Sequence, residues 1–152
     1  MTIEASSAYH RTAGHSAGPV RLLVLLYEQL VKDLRRALAA GKNNDVEGRA
    51  REIDHALTVV GHLQGTLDLE RGGEVANNVD RFYSVLRVRL LQSQFRFHVS
   101  EEILLEQIAH LLLLREAWME VDRSMTEELS SAQIKTTRTE EVSTRASTDW
   151  SG

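Results

Sequence analysis

Residues 65–83 read Gly-Thr-Leu-Asp-Leu-Glu-Arg-Gly-Gly-Glu-Val-Ala-Asn-Asn-Val-Asp-Arg-Phe-Tyr. Leu67 closes an apolar register that comes from upstream. Gly72 and Gly73 follow, and glycine enters the left-handed backbone that ends a helix at little steric cost. Glu74 places a carboxylate where the N-terminal end of a new helix favours one. Val75, Val79, Phe82 and Leu86 then restart a 4-3-4 apolar spacing. The stretch predicts a helix ending near Glu70, a tight corner at the glycine pair, and a new helix from Glu74. With almost no loop between them, the two helices are expected as antiparallel neighbours.

Working outward, the same periodicity defines three more elements. Pro19 suits the first position of a helix, where its missing N–H has no intrahelical partner anyway. Leu23, Tyr27, Leu30, Leu34 and Ala37 form one seam of a helix predicted to run from Pro19 to about Ala40 and to end at Gly41. Asn44 with Glu47 resembles a capping box. It opens a second helix with its seam at Val46, Ala50, Ile53, Leu57, Val60, Leu63 and Leu67. The third is predicted from Glu74 to Ser93 or Gln94, followed by an apolar connection at 95–99. The fourth starts after Ser100, with Glu101 and Glu102 in its first turn. Its seam is Leu104, Ile108, Leu111, Trp118, Val121 and Met125.

The ends are read differently. Residues 1–18 are small and polar apart from Ile3 and Tyr9. They are expected either as a disordered arm or as an arm that docks Tyr9 on an apolar groove. From Thr126 the apolar register fails and Ser and Thr dominate, so residues 126–152 are expected to be a disordered tail. The expected fold is therefore all-α: an antiparallel up-down-up-down four-helix bundle over 19–125, with a flexible N-terminal arm and a disordered tail.

Composition narrows the function. The chain has 152 residues, 42% hydrophobic and 5% aromatic, with a single proline. That suits one domain of long helices. The net charge of −4 argues against a large nucleic-acid footprint. There is no cysteine, hence no disulfide or thiol chemistry. The N-terminus lacks the basic start and apolar core of a signal peptide. The longest uncharged apolar block, near Leu22–Tyr27, falls far short of the roughly 20 residues that span a bilayer. A soluble cytoplasmic protein without membrane insertion is expected.

Motifs for chemistry are missing. Glu52 and His55 have the spacing of one di-iron ligand pair, but such a site needs a second Glu-x-x-His, and the chain has none. Glu106 and His110 supply two ligands where zinc needs three or four. No glycine-rich phosphate loop or nucleophile elbow occurs. No catalytic residue, metal site or cofactor is assigned, and a metal-dependent bundle enzyme is the least favoured class. What stands out is apolar surplus. Leu22, Val24, Leu25 and Leu26 make the start of helix one apolar on nearly every side, and Leu105, Leu112, Leu113 and Met119 broaden helix four. One bundle core needs only a stripe. The surplus calls for a cover: the arm, a homodimer partner, a client peptide or lipid.

The stretch Leu67-Asp68-Leu69-Glu70-Arg71-Gly72-Gly73-Glu74-Val75-Ala76-Asn77-Asn78 resembles the helix-corner motif of the flagellar secretion chaperone family, FliS. Supporting matches are Ala8-Tyr9, Pro19 with Leu22, Leu26 and Tyr27, Ala40-Gly41, Tyr83, and Arg115-Glu116-Ala117-Trp118. Their order covers roughly residues 8–122. The chain departs from the pattern at Val20-Arg21, in helix three after Tyr83, and in the apolar 95–99 connection. The resemblance implies a cytoplasmic, non-enzymatic bundle that binds the disordered C-terminal segment of flagellin, prevents its premature polymerisation and delivers it to the flagellar type III export gate. It also implies that the arm carrying Tyr9 can cover the client surface. The expected client-contacting residues are Tyr9, Leu22, Leu26, Tyr27, Val75, Tyr83, Leu105, Leu112 and Met119. The alternative is a helical adaptor that homodimerises through helices one and four.

Overall fold

A computed structural model of the chain describes residues 18–148. Tyr9 and the rest of the arm lie outside the described residues. Among those described there are four α-helices and no strand: α1 (Pro19–Lys42), α2 (Val46–Gly65), α3 (Leu69–Phe95) and α4 (Ser100–Thr148). A single 3-10 turn, Phe97–Val99, links α3 to α4.

α1 begins at Pro19 as expected and buries Tyr27, Leu30, Val31, Leu34 and Ala37. It runs past Gly41 to Lys42, because the Asn43 amide still donates to the carbonyls of Ala39 and Ala40. Asn44 then adopts φ +56°. That turn moves the cap of α2 one residue on. Asp45, rather than Asn44, accepts from the Gly48 amide at 2.9 Å. The Asp45 carboxylate lies over Gly48 so closely that a β-carbon there would collide with it.

The corner is wider than the glycine pair. α2 ends at Gly65, with Thr66 as its cap, and does not reach Glu70. Asp68 explains this: its carboxylate accepts from the Arg71 amide at 3.0 Å and starts a fresh helical turn. That turn breaks at Gly73, where φ is +57° and ψ −137°, and the helix resumes from Glu74. So Gly73 is the turning point, but Thr66, Leu67 and Asp68 already belong to the corner.

Past the corner, α3 buries Ala76, Val79, Tyr83, Leu86 and Leu90, and Phe82 packs on the same core. α1 packs against α2 and α4, and α3 packs against α2 and α4. Three ion pairs mark the register between α1 and α4: Arg21–Asp122 at 3.8 Å, Glu28–Arg115 at 3.1 Å and Lys42–Glu101 at 3.8 Å. As α1 advances, α4 recedes in step, so these two helices run antiparallel.

The expected disordered tail is helical through Thr148. No glycine or proline interrupts the chain between Ser100 and Thr148, and good helix formers are interspersed throughout. Hydroxyls that compete for the backbone bond back along the helix, as Thr126 does to the Asp122 carbonyl and Thr139 to that of Lys135. Yet residues 123–146 are all exposed. α4 thus leaves the bundle near Asp122 and continues for roughly 40 Å. Apolar register reports burial, and here a helix exists without it.

Candidate functional site

Helical geometry sorts the candidate residues onto distinct surfaces. On α4, Leu105, Leu112 and Met119 recur every seven residues and share one face. They lie beside the line of Glu101, Arg115 and Asp122, which pair with α1. Leu105 is 51% exposed. Leu112 is half-buried against the core, and Met119 is half-buried. On the facing flank of α1, Val24 and Leu25 join Met119, Arg21 and Glu28 around a cleft of about 430 Å³ that continues to Thr126 and Glu127. Its apolar lining is Val24, Leu25 and Met119. Its rim carries both charges, from Arg21, Arg123, Glu28, Asp122 and Glu127.

The other candidates do not converge on it. Leu22 and Leu26 lie on the opposite flank of α1, the side on which Asp33 meets α2 through His55. Both are half-buried, and Leu26 packs on the core. Val75 is 66% exposed near the start of α3.

Tyr27 and Tyr83 are interior residues. Both are fully buried, and their hydroxyls meet at 2.7 Å. The rings lie 6.3 Å apart, tilted by 37°. Burial pushes both phenols above their ordinary value of 10.0. For Tyr83, charge on Tyr27 and the shared hydrogen bond act in the same direction as burial. The indole N–H of Trp118 sits near the Tyr27 hydroxyl but outside hydrogen-bond geometry. In the expected client set these two tyrosines are corrected to core residues, since neither offers surface to a ligand. Conversely, Arg21 and Glu28 line the cleft without being among the expected contacts, as do Val24 and Leu25, expected only as apolar surplus. Their signal was available in the antiparallel pairing of α1 with α4, which places residue 21 beside 122 and 28 beside 115.

His55 is not a bare solvated residue. Its Nδ1 lies 2.6 Å from the Asp33 carboxylate, which is buried and also accepts from Gln29 at 2.8 Å. Among the described residues no group of three or more His, Cys, Asp or Glu is placed to hold a metal ion. No described helix is long and apolar enough to cross a membrane.

With this geometry in hand, the chain can be set beside known proteins. The family model described as flagellar protein FliS matches residues 2–137. The chain is 33% identical over 103 residues to the flagellar secretion chaperone FliSB of Pseudomonas aeruginosa, covering 67% of this chain and 79% of that protein. It is 32% identical over 122 residues to the flagellar secretion chaperone FliS of Campylobacter jejuni, covering 80% of this chain and 94% of that one. With the Salmonella typhimurium flagellar secretion chaperone FliS it shares 30% over 108 residues, 70% of this chain and 78% of that protein. A four-helix chain carrying the Leu67–Asn78 corner, matched by the family model over nearly its whole length, belongs to the FliS family of flagellar secretion chaperones.

Proposed function

We propose that this chain is a cytoplasmic export chaperone that holds the disordered C-terminal segment of flagellin. By holding it, the chaperone prevents premature polymerisation and passes the subunit to the flagellar type III export gate. The observation that carries the reading is the apolar surface left open along α1 and α4, at Leu25, Leu105, Leu112 and Met119. The reading takes the helices as an up-down-up-down antiparallel bundle, supported by the opposed register of α1 and α4. It also takes the arm bearing Tyr9 as a cover for the empty surface.

The energetics suit a long, shallow track better than a deep pocket. A disordered client loses about 1–2 kcal/mol of backbone entropy per residue on ordering. Buried apolar area returns about 25 cal/mol per Å². Only a contact many residues long offsets that ordering, and one with a mixed-charge rim leaves affinity moderate enough for release. Tyr27 and Tyr83 take no part. Their role is to hold α1 and α3 together beneath the surface.

The test compares intact flagellin with flagellin lacking its C-terminal segment. The chain binds the first and not the second, and Leu105→Asp with Met119→Asp weakens binding by at least about tenfold. Equal binding of both flagellins, or of neither, rejects the reading.

A further inference from the structure

Among the described residues, the most exposed large apolar side chain is not on α1 or α4. Phe95, at the end of α3, is 80% exposed. It does not stand alone. Val85, Val88 and Leu91 are between 40% and 54% exposed. At 100° per residue the four fall within about a third of the helix circumference and extend roughly 15 Å along it. α3 packs against α2 and α4, so this outer stripe looks away from α1. It is therefore separate from the cleft described above. Arg81 lies in line with it, about one turn before Val85, and Arg96 follows Phe95 directly. Neither arginine has an ion pair or side-chain hydrogen bond among the described residues. Arg89, at one edge, is engaged by Glu106, and Arg87, at the other, by Gln64. The carboxylate nearest in line, Glu74, lies almost two turns before Arg81.

We propose that the outer face of α3 is a second docking surface, for an acidic amphipathic helix of a protein partner other than the client. An exposed apolar run of this extent marks an interaction site. The backbone N–H groups of the stripe are committed to the helix, so a strand cannot add to it and only side chains are on offer. A narrow apolar ridge of that kind fits a helix presenting residues at i, i+3 and i+7. The arginines at its two ends, without ion-pair partners among the described residues, select the sign of the partner's flanks: carboxylates gain two partners, and lysines meet like charge. The inference does not depend on the flagellin reading.

The experiment uses two synthetic amphipathic peptides with identical leucines at i, i+3, i+7 and i+10, one flanked by glutamates and one by lysines. Binding to the full chain is read by fluorescence anisotropy. The acidic peptide binds at least about tenfold tighter than the basic one, and the preference shrinks with added salt. Arg81→Glu with Arg96→Glu reverses it. Val88→Asp weakens the acidic peptide by at least about tenfold, while Met119→Asp, in the other cleft, leaves it unchanged. If Val88→Asp shifts the melting temperature, Val88→Ser is read in its place. Equal binding of the two peptides overturns the proposal. So does a loss that follows Met119→Asp and not the Val88 variant.

Discussion

The hydroxyls of Tyr27 on α1 and Tyr83 on α3 meet at 2.7 Å in the middle of the core, 56 residues apart in sequence. Their helices do not pack directly against each other; each reaches the other only through its side chains. The pair is a polar tie between helices otherwise joined through α2 and α4. Removing one member leaves a buried hydroxyl without its partner, which costs about 1–3 kcal/mol, whereas removing both leaves nothing to satisfy. Tyr27→Phe and Tyr83→Phe are each expected to lower unfolding stability by that amount in urea titration. The double variant is expected to lose clearly less than the sum. Tyr27→Phe should be the more damaging single change. It orphans Tyr83, whereas after Tyr83→Phe the Trp118 indole is still near enough to turn toward Tyr27.

The same pair sets an alkaline limit. Burial raises both phenol pKa values above the ordinary 10.0. A group whose pKa is higher folded than unfolded contributes stability that is fully present below the unfolded value and is lost as pH rises past it. The contribution of this pair is therefore expected to be constant through neutrality and to fall once the pH exceeds 10. Denaturation midpoints across pH 8–11.5 check this. In the double Phe variant the fall should be shallower.

How much of this was legible before the structure depends on which force acted at each place. Leu30, Leu34, Ile53, Val60, Leu86 and Leu104 are all buried where helical periodicity put them, because burial is what periodicity records. Gly73 was legible as a break, because only glycine tolerates its backbone. The end of α2 was misplaced by five residues because Asp68 acts as a cap, and a cap competes with helix continuation only through local hydrogen bonds. Tyr27 stands both in the seam of helix one and among the expected client contacts, and Tyr83 only among the contacts. A tyrosine at a seam position has the same spacing whether its hydroxyl faces water or another tyrosine across the core. That pairing is tertiary and leaves no local mark.

The corner offers a sharp contrast between glycines. Gly73 has φ +57° and ψ −137°, a region that side chains with a β-carbon avoid, while Gly65 keeps a helical backbone and a β-carbon there would meet nothing within 4 Å. Gly73→Ala is expected to cost about 1–3 kcal/mol from backbone strain alone. Gly65→Ala is expected to be neutral or to gain up to about 1 kcal/mol. Thermal melts of both variants decide the matter. Equal effects would mean that the chain re-routes the corner without strain.

Along the overhang of α4 past Asp122 every residue from 123 to 146 is exposed, and the hydroxyls of Thr126, Thr136 and Thr144 bond back to carbonyls of the same helix. An isolated helix of this length rich in Ser and Thr is marginal in water, since packing supplies most helical stability in proteins. Its amides should exchange with solvent far faster than those of Leu104 to Leu111. Ending the chain after Met125 should change the urea midpoint of the bundle by no more than about 0.5 kcal/mol. It should also remove helical circular dichroism in proportion to the residues lost. A larger drop in stability would mean that the overhang packs on something, and slow exchange confined to residues 126–140 would say where.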